Sequence, residues 1–341
     1  MARTLPALAL SAALVTLLSG CVSVATAETE PPTPSIVAET PEPTAEPDPL
    51  APPALVFDGN CSTVLTDAEV SAASGGPVVS RADGPVDGVT IAVQQLGGIR
   101  CAWDDDAGLP QVWITVIPHA AVADAAAASG ADEGSAPTCY GDDVQGRCSF
   151  GRTVGEYWIA GVLYTAVDSG ADAVEGIDAL VDAFDARSDR PAPAPVTRPG
   201  AWPADQDCAF LDAAAALGQP DLEATDGHHP AEAGPGVYAA LRATGYRSCG
   251  WWSASSSFGL GLTTIPGAGW AVRTAAAESG AIATPVDGAG ESVAVATSEE
   301  SWALLATDGV NLVIATPYNR GIEPEELAPA VAAAIAAHAQ G

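Results

Sequence analysis

Lysine is missing altogether: the 12 basic residues of this 341-residue chain are all arginine, against 43 acidic residues, for a net charge of −31. Without lysine there is no phosphate-cradling Gly-x-x-x-x-Gly-Lys loop. The acidic excess repels phosphate backbones and anionic headgroups, which excludes nucleic-acid recognition through a basic stripe. Such a surface ordinarily serves solubility, and it leaves basic proteins or divalent ions as the specific partners that charge alone would favour. Histidine is scarce at four residues, and there is no Cys-x-x-Cys, so the spacing of a zinc site is absent and no metal or other cofactor is expected. There is also no Gly-x-Ser-x-Gly nucleophile elbow. The one long apolar run, Leu5 to Leu18, is too short to span a bilayer comfortably.

What is present begins with that run. Arg3 is the single charge ahead of it, as in a secretory signal, and it ends in Leu18-Ser19-Gly20-Cys21. These four residues resemble the bacterial lipobox, which implies cleavage before Cys21 and lipidation of its sulfur. Residues 1–20 are then a signal peptide, and the mature chain is expected on the extracytoplasmic side of the cell membrane, tethered by acyl chains with no transmembrane helix. Residues 21–55 read as a stalk. Between Val22 and Ala54 there are nine prolines, six carboxylates, and no basic or aromatic residue. Proline favours the extended polyproline conformation and like charges stretch it further, so the stalk reaches on the order of 90 Å.

Beyond the stalk the sequence repeats itself. Gly98-Ile99-Arg100-Cys101-Ala102-Trp103 returns as Tyr246-Arg247-Ser248-Cys249-Gly250-Trp251, and Thr115-Val116-Ile117-Pro118 as Thr263-Thr264-Ile265-Pro266, both 148 residues on. A constant offset argues for a duplicated domain. The first copy is placed at 56–187 and the second at 201–341, around a linker (188–200) carrying Pro191, Pro193, Pro195 and Pro199.

In the first copy, Thr66 and Glu69 form a capping box with Leu65 and Val70 as the hydrophobic staple, and Gly75-Gly76 ends the helix. The β-branched stretches Val89 to Val93 and Gln111 to Ile117 read as strands, with Ile99 to Trp103 between them. Pro118 opens an alanine-rich helix from about His119 to Ser129. Tyr157 to Val167 reads as a strand bent at Gly161. Ile177, Leu180, Val181 and Phe184 mark a closing helix.

The second copy follows with a helix after Asp212, strands around Ser248 to Trp252 and Phe258 to Thr264, and a helix from Trp270. A hairpin turns at Thr307-Asp308-Gly309, and a last helix starts at Pro324. Each half thus reads helix, strands, helix, strands, helix. The expected class is α+β: two tandem homologous domains, each a mainly antiparallel sheet packed by about three helices.

Six cysteines besides Cys21, an even number in an oxidising compartment, should pair. The duplication singles out Cys61 with Cys101 and Cys208 with Cys249, leaving Cys139 with Cys148.

Residues that could carry chemistry are few. His228-His229 lies in a polar loop beside Asp226 and Glu232, where it would hold a metal or sense pH, but no third ligand is specified and an exposed loop is the simpler account. Asp104-Asp105-Asp106 and Asp142-Asp143 lack the spaced ligands of a calcium loop and read as acidic turns. Ser255 to Ser257 is a polar run, and Gly288-Ala289-Gly290-Glu291 a turn. Of the tryptophans, Trp103, Trp251 and Trp252 sit at the repeated strand. With His228 and His229 they make the candidate ligand contacts, for a glycan or an apolar ligand should they line a groove. No catalytic constellation emerges.

A lipobox, an acidic Pro/Thr stalk, a cysteine ahead of a capped Leu-Thr-x-Ala-Glu helix, a Cys-x-Trp strand and a Gly-x-Gly-Glu turn before a hairpin together form a pattern. It resembles actinobacterial envelope lipoproteins similar to the extracellular sensor domain of the mycobacterial kinase PknH. The arginine-only, alanine-rich composition agrees with a GC-rich genome of that kind. The likeness spans about Cys61 to Ala186 and Cys208 to Ala337. It implies a disulfide-stapled α+β domain that binds a small ligand or an envelope protein, and no catalytic residue. The chain departs from it by holding two copies and no kinase. The expected function is therefore a non-enzymatic, sensor-like binding lipoprotein of the cell envelope. The alternatives are a wall- or lipid-acting hydrolase, built on carboxylates that only the fold brings together, and a structural spacer.

Overall fold

A computed structural model describes residues 48–341 except 82–86, 129–135, 142–145, 166–169, 204–207, 209–211, 226–233, 254, 256–257, 279, 299–300, 320 and 340–341. The chain divides into Met1–Glu46 and a folded unit, Pro47–Gly341. Cys21, most of the stalk and His228-His229 lie outside the described residues, among which no helix is long and apolar enough to cross a membrane.

The first half runs α1 (Cys61–Val64), α2 (Asp67–Ser74), β1 (Val79–Arg81), α3 (Gly88–Gln95), β2 (Ile99–Asp104), β3 (Pro110–Pro118), α4 (His119–Ala128), β4 (Thr138–Gly141), β5 (Gly146–Val154), β6 (Tyr157–Thr165) and α5 (Gly170–Asp185). The second runs α6 (Ala213–Leu217), β7 (Glu223–Thr225), α7 (Gly234–Thr244), β8 (Arg247–Trp252), β9 (Gly259–Ile265), α8 (Trp270–Ala276), β10 (Ile282–Ala283), β11 (Glu291–Ser298), β12 (Ser301–Thr307), β13 (Leu312–Pro317) and α9 (Pro324–His338). The first sheet has the order β1-β2-β3-β6-β5-β4 and the second β10-β11-β12-β13-β9-β8-β7, every neighbouring pair antiparallel. With β10 set aside, the two orders correspond strand for strand. The fold is α+β, and its halves share one topology.

All three disulfides form as the duplication indicates: Cys61–Cys101, Cys208–Cys249 and Cys139–Cys148. The first two occupy equivalent places, each tying the segment that opens its half to the Cys-x-Trp strand, with Cα atoms 5.6 Å apart in both. The capping box is present as well. Glu69 accepts from the Thr66 backbone N–H at 2.8 Å and the Thr66 hydroxyl accepts from the Glu69 N–H at 3.3 Å. Gly75 closes α2 in the left-handed conformation. Arg187, from the far end of the half, donates to Glu69 at 2.7 and 2.9 Å. Burial raises the Glu69 pKa, but the bonds from the Thr66 backbone and Arg187 outweigh it and leave the carboxyl below its ordinary value.

Two expectations are corrected. Val89 to Val93 is not a strand but the body of α3, whose N-terminus Asp87 caps by accepting from the Val89 N–H at 3.2 Å. Thr90, Ile91, Ala92, Val93 and Gln95 are all buried, so the helix has no polar face to reveal its period, and its β-branched residues imitate a core strand. Likewise β6 is unbroken in register on both sides through Gly161. A Cβ at Gly161 would collide with the Trp113 carbonyl oxygen and press on Phe150 at 3.1 Å, so glycine is there for close packing and not for a bend. Beyond the three helices the pattern suggested, each half has one between its first two strands, α3 in the first and α7 in the second, and the first half also has the short α1.

These two helices join the halves. Each sheet buries one face beneath helices of its own half, α2 and α5 in the first core and α6 and α9 in the second. The opposite face takes a helix from the other half. Ile91 and Ala92 of α3 pack with Ile265, Leu305 and Ile314 of the second sheet, while Ala239 and Ala240 of α7 pack with Ile117, Trp158 and Ala160 of the first.

The exchange is reciprocal residue by residue. A Cβ on Gly88 would stand 3.4 Å from Thr263, and one on its equivalent Gly236 would stand 3.3 Å from Thr115, the equivalent of Thr263. The helices even end alike: Gly97 and Gly245 are left-handed, and Gly98 and Tyr246 donate to the Val93 and Leu241 carbonyls at 3.0 Å. Gln95 accepts a fully buried 2.7 Å bond from the Trp270 indole, again between halves.

The 188–200 segment packs along the body. Tyr157 donates its hydroxyl to the Arg190 carbonyl at 2.7 Å. Buried Arg198 donates to the carbonyls of Pro49 and Ala51, and desolvation lowers its pKa. Asp48 pairs with Arg273 at 2.9 Å, and Arg273 also holds Glu291 at 2.8 Å. The Asn311 side-chain oxygen accepts from Trp202 and Gly267 at 2.9 and 3.1 Å. The chain thus enters the folded unit at the end of the second sheet where β9 finishes.

Because the halves interlock, they are expected to unfold in urea as one transition by fluorescence and by circular dichroism together. Gly236→Val, which forces a side chain into Ala160 where even a Cβ would approach to 2.7 Å, should lower the stability of the whole unit by about 1–3 kcal/mol. Replacing both Cys208 and Cys249 by serine should cost about 4 kcal/mol by the chain-entropy model, and replacing Cys139 and Cys148 about 2.5, because the latter closes a far shorter loop.

Candidate functional site

The candidate ligand contacts part company. Trp103 is fully buried in the first core, its indole donating to Asp67 at 3.0 Å, and Trp251 is 3 % exposed in the second. Both are packing residues with no surface to offer a ligand. Trp252, one residue on and therefore on the opposite face of β8, is 41 % exposed. Asp104 pairs with Arg81 at 3.3 Å, and Asp105 accepts from the N–H groups of Ala107 and Leu109 at 2.9 Å, so this acidic run is a self-bonded turn. Among the described residues no group of three or more His, Cys, Asp or Glu could hold a metal. His228, His229, Asp142 and Asp143 lie outside them.

Trp252 has company that the sequence reading missed. In the register of the second sheet Trp252 faces Gly259, and Tyr318, just past β13, donates its backbone N–H to the Gly259 carbonyl at 2.9 Å. A Cβ on Gly259 would lie 2.5 Å from Trp252 Cε3 and 2.7 Å from Tyr318 Cδ2. One on Gly261 would lie 3.1 Å from the Tyr318 hydroxyl and 3.2 Å from its Cε1. Only a bare backbone lets the two rings meet there, with the tyrosine spanning both glycines. Leu260 and Leu262, between and after them, point the other way into the core. Tyr318 is 48 % exposed, and partial desolvation raises its phenol pKa.

The ring pair is held by its surroundings. Ser253 donates its backbone N–H to the Phe258 carbonyl at 2.8 Å and its hydroxyl to Asp221 at 2.5 Å, closing the turn after Trp252. Bonds from Ser253 and Ser255 lower the Asp221 pKa. Asn319 accepts from the Gly259 N–H at 2.8 Å. Inward along the same face stand hydroxyls: Thr316, then Thr263 with Ser248, then Tyr246. Tyr246 has its pKa raised by burial, against bonds to Thr263 and Ser248. The row ends at α3, contributed by the first half, where Gly88 touches Tyr246 and Asp87 caps the helix.

The equivalent place in the first half is built differently. Trp113 stands where the second half has Gly261, and it is covered by cations: the Arg100 guanidinium is 4.0 Å and that of Arg81 5.3 Å from the ring centroid. Asp87 neutralises Arg100 at 2.5 Å and Asp104 neutralises Arg81. One copy fills its open face with an ion-paired stack; the other leaves two rings exposed beside the half-buried Thr316.

Two open depressions of about 500 Å³ also occur, between α2 and α5 and beside α4, lined mainly by alanine. Among the described residues, the carboxylates with displaced pKa values, Asp48, Glu69 and Asp221, are all lowered, the reverse of what a general acid at neutral pH requires. No protein-family model matches the chain, and comparison with curated proteins and with solved structures finds no match.

Trp252 is the most exposed tryptophan among the described residues. Its replacement by phenylalanine should remove most of the emission that acrylamide quenches readily, and Trp103→Phe should leave that fraction unchanged.

Proposed function

We propose that the protein is a lipid-anchored, extracytoplasmic binding module of the cell envelope, without catalytic activity, whose ligand surface lies at the other end of β9 from the point where the chain enters the folded unit. The observation that carries this reading is the position of the exposed ring pair. The chain enters the folded unit beside Arg198 and Gly267, where β9 ends, whereas Trp252 and Tyr318 meet over Gly259, where β9 begins. The length of that strand, about 20 Å at roughly 3.3 Å per residue, separates the two. An anchored protein whose function is to bind places its contact surface at the free end. The lipobox-like Leu18-Ser19-Gly20-Cys21 and the acidic stalk support the tether, and the likeness to kinase sensor domains supports ligand binding over turnover.

Replacing Cys21 by serine should move the protein from the detergent phase to the soluble fraction and abolish incorporation of labelled palmitate. Continued membrane partition of that variant would refute the anchor. Turnover of purified cell-wall or lipid substrates by the wild-type protein would refute the non-enzymatic part.

A further inference from the structure

We infer that the Trp252–Tyr318 surface binds a neutral glycan, with sugar rings stacked on the two aromatics and sugar hydroxyls bonded at the adjoining Thr316. The inference rests on the binding-module reading and gives its ligand a chemistry.

The surface joins two properties. Its outer end is aromatic, and an aromatic ring carries a negative face that attracts the polarised C–H bonds of a sugar while removing apolar area from water. Its inner end is polar: the half-buried Thr316 hydroxyl can donate and accept, and it leads to Thr263, Ser248 and Tyr246, whose hydroxyls bond to one another where α3 begins. A pyranose has the matching partition, a C–H face and a rim of hydroxyls. An apolar peptide or acyl chain would find no aliphatic wall beside the rings, since the positions beneath them are glycines.

Charge removes the anionic alternatives. The net charge is −31, and acids stand at both ends of the row, Asp221 under the Trp252 turn and Asp87 at the inner end. The nearest arginine of the first half, Arg100, is already bonded to Asp87. A phosphorylated or uronic-acid polymer would meet repulsion along the whole row.

Fixation of the rings matters as much as their chemistry. Trp252 is flanked by the Ser253 bonds to Phe258 and Asp221, and Tyr318 by its own backbone bond to Gly259 and by Asn319. Little side-chain freedom remains to be lost on binding, which favours a ligand making several modest contacts over one deeply buried anchor.

The test titrates the purified full-length protein in neutral detergent with chitotetraose, maltohexaose and mannohexaose, read by calorimetry and tryptophan emission. An oligogalacturonate, an oligolysine and an apolar peptide serve as the other arms. Saturable binding of at least one neutral oligosaccharide is expected, with a change in emission. Trp252→Ala and Tyr318→Ala should each weaken it by at least about tenfold, Trp252→Phe less, and Thr316→Val measurably. Tyr238→Ala, an exposed aromatic on α7 away from the row, should bind as wild type. Circular dichroism and intact disulfides establish that each variant is folded, and Trp252→Phe with Thr316→Val decide the matter should an alanine variant not fold. Binding only of the charged polymers or the peptide, no binding of any neutral glycan, or glycan binding indifferent to Trp252 and Tyr318 would each overturn the inference. Partition of the same preparation between detergent and water reports the anchor separately, so failure here leaves that reading intact.

Discussion

The exchange of α3 and α7 between halves is the constraint on which the rest depends. An antiparallel sheet of six or seven strands has two faces to bury, and one pair of helices covers only one. Here the second face of each sheet is shared between a helix of its own half, α4 or α8, and one from across the molecule, and the latter contact is possible because Gly88 and Gly236 carry no side chain where each helix meets the threonine of the opposite sheet. The arrangement is isologous: what the first half does to the second, the second does to the first. A single copy of the module would leave Ile117, Trp158 and Ala160 covered only in part, by α4. The folding unit is therefore the pair, and the 188–200 segment is a strap laid along it through Arg190, Ala192 and Arg198 and not a hinge between independent bodies.

Interlocking explains how the two copies came to differ where they do. Positions that pack between the halves keep their residues or their size: Thr115 and Thr263, Gly88 and Gly236. Positions on the open end of each inner face are free of that demand, and there the copies have separated completely. Trp113 under two arginines stands in one, and Gly261 under Tyr318 in the other. The first solution closes on itself, each guanidinium neutralised by an aspartate. The second leaves aromatic surface in water next to hydroxyls, an arrangement that burial alone would not favour.

Legibility in the sequence followed what each signal reports. The duplication, the bridges, the capped α2 and the Thr307-Asp308-Gly309 hairpin were readable because a fixed offset, a paired cysteine, a capping box and a turn glycine act locally. Val89 to Val93 was misread because a helix buried on all sides presents no alternation, so composition took the place of periodicity. The site was half readable. Trp252 was among the candidates, yet its neighbours Trp103 and Trp251 were grouped with it although strand alternation puts Trp251 on the other face. The signal for Tyr318 lay in Gly259-Leu260-Gly261-Leu262, where glycine at every second position declares one face of a strand bare. What fills that face comes from nearly sixty residues downstream, a distance set by sheet order and visible only once β9 and β13 pair.

The two kinds of cross-link divide the work. Cys61–Cys101 and Cys208–Cys249 act within a half, fixing the segment that opens each half to the strand that bears the buried Trp103 or Trp251. The exchanged helices act between halves. Since Trp252 follows Trp251 directly, the same β8 that is pinned by sulfur on its core side presents the exposed ring on its other side, and α3 of the first half closes the far end of the hydroxyl row. A surface assembled in this way has its aromatic end set by covalent constraint within one copy and its polar end completed by the other. Duplication therefore gives the molecule something that two separate copies would not have: a face bordered by both halves, held rigid because neither half can move without uncovering a core.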